Sequence, residues 1–143
     1  MIVLDTNVVS AITSRLPPQN VLQWLNGVPP DSIALTSVNV FELRFGIELL
    51  KDAVARERLS LRLSWFFERF IGDRILPLNA ASAEMAAILA GRLQRVGRPV
   101  GREDTLIAGI CVAHGATLAT RNVRHFADAG MTLIDPWDAA ANT

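Results

Sequence analysis

The amino-acid sequence predicts an α/β fold: a three-layer α/β/α sandwich in which helices cover both faces of a central, parallel, five-stranded sheet. Two observations lead to this prediction. Short apolar segments recur along the chain, and longer stretches with helical periodicity separate them. The short segments are continuously apolar rather than alternating with polar residues, which is typical of strands buried on both faces.

Five short apolar segments are predicted to form the strands. The first segment leads directly into Asp5 and is expected to be central and buried. Pro77 lies inside the third segment and cannot donate a ladder hydrogen bond, so this strand is expected at an edge of the sheet. In chain order the predicted strands are 2–5, 33–36, 75–78, 117–120 and 132–134.

Helices are predicted where apolar residues recur every three to four positions. The clearest patterns cover 38–50, 53–70, 80–96 and 103–114. Shorter helices are expected after Asp5 and over 20–26. Gly115 follows the last of the long patterns and suits the left-handed backbone that commonly ends a helix.

Composition limits the class of protein. The 143 residues are 50% hydrophobic and 20% charged, which predicts a globular chain forming one domain, 1–143. The longest apolar run, 106–113, is too short to cross a membrane, and no export signal is visible, so we expect a cytoplasmic protein. Cys111 is the only cysteine, which excludes an internal disulfide and a cysteine-based zinc site.

Charge is balanced overall but uneven along the chain. The 14 basic residues match the 14 acidic ones, so no overall field attracts nucleic acid. The stretch 92–102 contains four arginines and no acidic residue. These arginines are candidates to guide a nucleic-acid phosphate, and the alternative is a solvated helix face.

Asp5 is the first of three acidic residues that stand out. It follows the first predicted strand and precedes Thr6 and Asn7. Ligands of open parallel sheets bind beyond the carboxyl ends of the strands, a rule that also singles out the turn 120–122. The alternative role for Asp5 is to cap the following helix.

Glu42 is predicted to lie on an inward, apolar face of its helix. Arg44 is only two positions away and points elsewhere. The alternative for Glu42 is a salt bridge with a residue distant in sequence. Its neighbours one and two turns away are Val38, Phe45, Gly46 and Leu49.

Asp104 opens another predicted helix and leans over the apolar residues Ile107, Ala108 and Cys111. A favourable interaction with the helix N-terminus is the alternative, but it would explain Glu103 equally well.

Three inward carboxylates repel each other unless a cation binds between them. Because no cluster of Cys or His offers softer ligands, the oxygen donors favour Mg²⁺, with Mn²⁺ as a possible substitute, over zinc. A lone histidine, His125, is a further group that could approach the site.

These residues resemble the PIN-domain endoribonucleases and, within them, the VapC-type toxins of bacterial toxin–antitoxin pairs. The similarity spans nearly the whole chain in family order, and the ordered set is more specific than any one motif. The matching segments are 1–10, 36–46, 73–78, 104–108, 118–126 and 135–137.

The resemblance implies a Mg²⁺-dependent site that hydrolyses RNA phosphodiester bonds. Asp5, Glu42 and Asp104 stand at the first three acidic positions of the family, and Asn122 at the fourth, which is often Asp. Asp5 and Asp104 are the implied metal ligands, and Glu42 orients water or a second ion. The implied partners are RNA and a cognate VapB-type antitoxin whose tail occupies the site, in a homodimer or a larger toxin–antitoxin assembly.

One departure from the family pattern concerns the fourth position. Family members with Thr-Arg-Asn commonly carry Asp before the next Phe, whereas this chain has His125 before Phe126. We therefore expect weaker metal binding than at a four-acid site. A non-catalytic or weakened PIN-fold binding module is the alternative function. A phosphatase-like hydrolase is disfavoured because no Asp-x-Asp pair follows the first strand.

Overall fold

The computed structural model describes residues 1–138 and contains the predicted parallel sheet of five strands. The strand order is β3-β2-β1-β4-β5, with every pair parallel. The strands are β1 (Ile2–Leu4), β2 (Ile33–Thr36), β3 (Ile75–Leu76), β4 (Thr117–Ala119) and β5 (Leu133–Ile134).

The position of each strand follows the sequence pattern. The continuously apolar β1 is central and pairs with β2 and β4, as predicted. The third strand is confirmed at an edge and stops before Pro77. Within the β1–β4 pair, Leu4 lies opposite Ala119, so the residues that follow these two strands emerge side by side.

The helices occupy the predicted stretches with small shifts at their ends. The predicted helix 53–70 ends in a turn of π-helix, Phe67–Ile71. Gly115 has φ +61° and ends the sixth helix, as predicted. The α-helices are α1 (Thr6–Ile12), α2 (Gln19–Gly27), α3 (Ser37–Glu48), α4 (Ala53–Phe66), α5 (Ala80–Arg95), α6 (Arg102–His114) and α7 (Val123–Phe126).

Two apolar cores lie on opposite faces of the sheet. One core is formed by β-strand side chains such as Leu4 with helices α1 to α4, and Phe66 is its largest fully buried side chain. The other core joins Val3 to helices α5, α6 and α7. Among the described residues, no helix is long and apolar enough to cross a membrane.

Helices α5 and α6 approach each other closely at Gly109. A Cβ atom built on Gly109 would lie 2.5 Å from the Cβ atom of Ala86. Only a residue without a side chain fits there, because real Cβ atoms do not approach this closely. The contact holds α6 in place, and Asp104 stands in the first turn of that helix.

Candidate active site

Asp5 is the buried carboxylate at the centre of the site. Its Oδ1 atom accepts a 2.8 Å hydrogen bond from the backbone N–H of Thr6, so Asp5 caps α1. Its Oδ2 atom accepts hydrogen bonds from the Thr120 hydroxyl, at 2.7 Å, and from Nδ2 of Asn7, at 3.2 Å. Burial raises the pKa of Asp5, and the hydrogen bonds partly offset this rise. Asp5 therefore caps α1 and also lies beyond the carboxyl end of β1.

Thr120 is a site residue that the sequence analysis did not assign a role. It is fully buried, follows β4 directly, and joins the site because β4 is the neighbour of β1. Its hydroxyl also accepts a 3.0 Å hydrogen bond from the backbone N–H of Asn122. The rule that ligands bind beyond the carboxyl ends of parallel strands had marked the turn 120–122, and this was the one indication in the sequence that Thr120 lies near the site.

Glu42 extends from α3 toward α1. The hydroxyl of Thr6 donates a 2.8 Å hydrogen bond to Oε1 of Glu42. Burial raises the pKa of Glu42; the bond from Thr6 opposes this, and the negative charges of Asp104 and Asp5 add to it. Within residues 1–138 no Lys or Arg forms an ion pair with Glu42, so the salt-bridge alternative finds no support there.

Most of the residues that were predicted to form an inward apolar face with Glu42 are exposed, so the prediction was wrong for them. Phe45 and Leu49 are 50% and 64% exposed. The buried apolar face of α3 is formed instead by Leu43 and Ile47 together with the predicted Val38. Glu42 lies at the border between these faces, where it reaches Thr6.

Two fully buried polar residues, Thr36 and Asn39, lie behind Thr6. They form the capping box of α3. Nδ2 of Asn39 also donates a 3.0 Å hydrogen bond to Oγ1 of Thr6. A hydrogen-bonded chain thus runs from the end of β2 through Thr6 to Glu42.

Asp104 enters the site from the first turn of α6. Nε2 of His125 lies 3.1 Å from Oδ2 of Asp104, so the predicted approach of His125 is confirmed. Burial raises the pKa of Asp104, the charge of Asp5 raises it further, and His125 lowers it. Asp104 also benefits from the helix N-terminus, the alternative that we considered for it.

The three carboxylates form an electrostatically unfavourable group of oxygen donors. The pKa of each is raised by burial, and Asp5 raises the pKa of both Glu42 and Asp104. Nearby, Oδ1 of Asn7 is buried without a hydrogen-bond partner in the described chain. Hard oxygen donors with excess negative charge fit a divalent cation such as Mg²⁺. No group of three or more His, Cys, Asp and Glu within residues 1–138 forms a ready-made metal cage.

Asn122 belongs to the same edge of the sheet but leaves its side chain uncommitted. It precedes α7 and makes no side-chain capping bond. It lines an open cavity of about 500 Å³ together with Arg121, Arg124 and His125. Because His125 also contacts Asp104, this basic cavity adjoins the acidic site.

A second cavity, of about 430 Å³, is lined in part by Glu42. Thr6 and Glu42 lie at one part of its wall, and apolar residues of α3 and α4 form another. Arg62 crosses the cavity wall and donates a 2.6 Å hydrogen bond to the carbonyl oxygen of Thr13. The apolar wall residues are Leu43, Ile47, Leu59 and Leu63.

The arginines of 92–102 are partly committed to structure. Arg98 forms a 2.8 Å salt bridge with Asp128, and Arg92 donates a 2.7 Å hydrogen bond to the carbonyl oxygen of Asp128. These contacts tie the end of α5 to the segment after α7. Arg121 and Arg124 line the cavity beside Asn122, and the guanidinium of Arg121 lies 5.0 Å from the ring centre of Trp137.

The fold and this set of residues have counterparts in known proteins. The PIN domain family matches residues 2–130. The chain is 34% identical to VapC ribonuclease Y4jK of Sinorhizobium fredii, covering 98% of this chain and 100% of the relative. It is 31% identical to toxin FitB of Neisseria gonorrhoeae, covering 96% and 99%. The crystal structure of FitAcB from Neisseria gonorrhoeae superposes with a TM-score of 0.88 at 31% identity, covering 96% of this chain and 99% of that one. The chain therefore belongs to the PIN-domain family, and within it to the group that includes the VapC ribonucleases.

Proposed function

We propose that this chain is a metal-dependent endoribonuclease and the toxin of a toxin–antitoxin pair, with the whole chain forming one nuclease domain. The observation that carries the proposal is the convergence of Asp5, Glu42 and Asp104 from β1, α3 and α6. Asp5 also caps α1, but this structural role does not account for the repulsion among the three carboxylates. The similarity to a VapC ribonuclease and to a toxin supports the same function.

The proposed metal ligands are Asp5 and Asp104. Mg²⁺ is commonly held by one or two carboxylates while water fills the remaining positions, so two carboxylates suffice without a complete protein cage. Mn²⁺ is expected to substitute. The ion, when bound, supplies charge to stabilise a phosphoryl oxygen and lowers the pKa of a coordinated water.

Side chains of the proposed active site position the reacting groups. Asp5 is held by Thr120 and by the backbone N–H of Thr6, which fixes the direction of its lone pairs. Glu42 keeps Oε1 on Thr6, and Oε2 is the oxygen that orients the attacking water and accepts its proton. Asn122 offers a neutral amide to the scissile phosphate or to a bound water.

RNA is proposed to enter over the cavity beside Asn122. Arg121 and Arg124 line that cavity and present cationic groups next to the acidic site. Arginine binds phosphate oxygens with a planar fork of donors, which suits an RNA backbone. We also propose that the protein acts in the cytoplasm, where its proposed RNA substrate and antitoxin would be found.

The proposed antitoxin occupies both the acidic site and the cavity of about 430 Å³ that Glu42 lines. An apolar segment fits the wall of Leu43, Ile47 and Leu63, and an Arg or Lys of the antitoxin would pair with the carboxylates beside Glu42. Such a pairing blocks the metal ligands directly. We expect the complex to contain a toxin homodimer or a larger assembly. Co-expression with the neighbouring gene, followed by pull-down and a growth assay, tests this partner.

RNA cleavage by the purified, antitoxin-free chain tests the proposed function. Cleavage is expected with Mg²⁺ or Mn²⁺ and should stop on chelation. Asp5→Asn, Glu42→Gln and Asp104→Asn should each lower the rate by about 100-fold or more, because each removes a charged group from the reaction. Asp31→Asn, at an exposed position outside the site, is the matched control. Tight RNA binding without cleavage would instead identify a binding module.

A further inference from the structure

Asn39 makes a set of hydrogen bonds that exceeds what a helix cap requires. Its side chain is fully buried, and it stands one turn before Glu42 on α3. Oδ1 accepts from the backbone N–H and from the hydroxyl of Thr36, both at 2.8 Å. Nδ2 donates to Oγ1 of Thr6 at 3.0 Å.

One backbone group determines which atoms donate and which accept in this series of hydrogen bonds. The backbone N–H of Thr36 can only donate, so the atom of Asn39 that faces it must be the oxygen. The amide nitrogen of Asn39 therefore faces Thr6 and donates to it. This geometry resolves the orientation of an amide that is otherwise ambiguous.

The same logic extends to Glu42. A threonine hydroxyl has a single hydrogen atom. Because Oγ1 of Thr6 accepts from Asn39, that hydrogen is free to be donated to Oε1 of Glu42, at 2.8 Å. Oε1 is thereby held as an acceptor without a proton, and Oε2 is left as the oxygen that faces other groups.

We infer that Asn39 is a positioning residue for Glu42: its buried amide sets the polarity of the Thr6 hydroxyl, which in turn presents Oε2 of Glu42 to the reaction. The inference rests on the proposed function, since it assumes that Glu42 acts in RNA cleavage. A capping role alone does not need an amide, because Asp at this position would accept both bonds from Thr36. Asn differs from Asp in having the Nδ2 donor, which faces Thr6, and in having no charge.

The test replaces Asn39 by Asp, which keeps the shape and the cap but removes the donor. The Thr6 hydroxyl then faces two carboxylates and has one hydrogen for both. We expect kcat on a short RNA substrate to fall about tenfold, with KM within about twofold of that of the unchanged protein, because neither proposed metal ligand is altered. Asn79→Asp makes the same substitution at the exposed N-cap of α5, outside the site, and is the control, expected to keep the kcat of the unchanged protein.

A second variant avoids the added charge and any folding defect of Asn39→Asp. Thr6→Val removes the hydroxyl but keeps the backbone N–H that caps Asp5. It should lower kcat to a similar extent, and Thr6→Ser should recover most of the loss. The double variant Asn39→Asp with Thr6→Val should be no slower than the slower single variant, because both changes break one linkage.

The outcomes separate this inference from the proposed function. An active unchanged protein, with both single variants slow and their effects non-additive, supports the role of Asn39. An active unchanged protein with undiminished kcat in folded Asn39→Asp, or with additive losses, overturns the role of Asn39 and leaves the nuclease standing. Absence of metal-dependent cleavage by the unchanged protein overturns both.

Discussion

The hydroxyl of Thr120 donates a 2.7 Å hydrogen bond to Oδ2 of Asp5 across 115 residues of sequence. The bond is a direct product of the sheet order, since β1 and β4 are neighbours and both residues follow their strands. It opposes the effect of burial, which raises the pKa of Asp5. A neutral hydroxyl therefore helps to keep the proposed metal ligand ionised.

Replacing Thr120 by Val should weaken metal binding. Without the hydroxyl the pKa of Asp5 rises further, and the ion must compete with a proton for the carboxylate. The loss of one hydrogen bond to a charged group predicts about tenfold weaker Mn²⁺ affinity by calorimetry, with a larger loss at lower pH. Thr120→Ser keeps the hydroxyl and is the control. Equal affinities for the Val and Ser variants would show that this bond does not tune Asp5.

Removing the charge of Glu42 should stabilise the metal-free protein at neutral pH. The pKa of Glu42 is raised by burial and by neighbouring acidic residues, so the folded state disfavours its charged form. The pKa of this carboxyl group is higher in the folded state than in the unfolded state, where it is about 4. The free energy of unfolding therefore falls as pH rises from the unfolded-state pKa through the folded-state pKa. Glu42→Gln removes this loss while its amide oxygen still accepts from Thr6.

The Tm of Glu42→Gln should exceed that of the unchanged protein at pH 7, and the difference should shrink toward pH 4. Thermal unfolding in the presence of a chelator at both pH values measures it. Glu48→Gln changes the same residue types at an exposed position of α3 and serves as the control. A lower Tm for Glu42→Gln than for the unchanged protein at pH 7 would contradict the argument.

Gly109 should tolerate no side chain. Alanine at this position would place its Cβ atom 2.5 Å from Ala86, so α5 and α6 must separate. Overpacking of this kind costs about 1 to 3 kcal/mol in chemical denaturation. Gly46→Ala, in α3 with no atom within 4 Å of the new Cβ, should instead be neutral or stabilising by about 0.5 to 1 kcal/mol. Similar effects for the two glycines would contradict the packing argument.

The sheet and the long helices were predictable because burial on both faces leaves a continuous apolar signature. Asp5 and Asp104 stood out as candidates for a related reason: a charge directly beside such a segment has no obvious solvent-facing role. The apolar face around Glu42 was misassigned because α3 carries apolar residues on two faces. Leu43 and Ile47 enter the core while Phe45 and Leu49 remain exposed, and periodicity alone does not rank two apolar faces.

Asn39 was missed, and Thr120 was marked only as part of the turn 120–122, for a different reason. Both are neutral polar residues next to helix or strand ends, where local capping and turn formation are the common explanation. Their importance comes from partners 115 and 33 residues away, which become neighbours only after the sheet is assembled. Their burial, known only from the structure, is what distinguishes them from ordinary caps.

Replacing Asn122 by Asp should tighten metal binding. Asn122 leaves its side chain without a capping bond beside the acidic site, and its backbone is tied through Thr120 to Asp5. An added negative charge near a divalent ion, after allowance for desolvation and repulsion among carboxylates, predicts about tenfold tighter binding, or about 1.4 kcal/mol. Titration of Mn²⁺ into both proteins measures the difference.

The cationic neighbours of Asn122 decide how this result is interpreted. A new carboxylate at position 122 has Arg121, Arg124 and His125 around the same cavity and could pair with them instead of an ion. Combining Asn122→Asp with Arg124→Gln removes one competitor, so a metal ligand at 122 should bind still more tightly in the double variant. Unchanged affinity in both proteins would place residue 122 outside the metal shell. Weaker affinity in both would show that the three carboxylates already saturate the site and that Asn122 acts as a neutral hydrogen-bonding group.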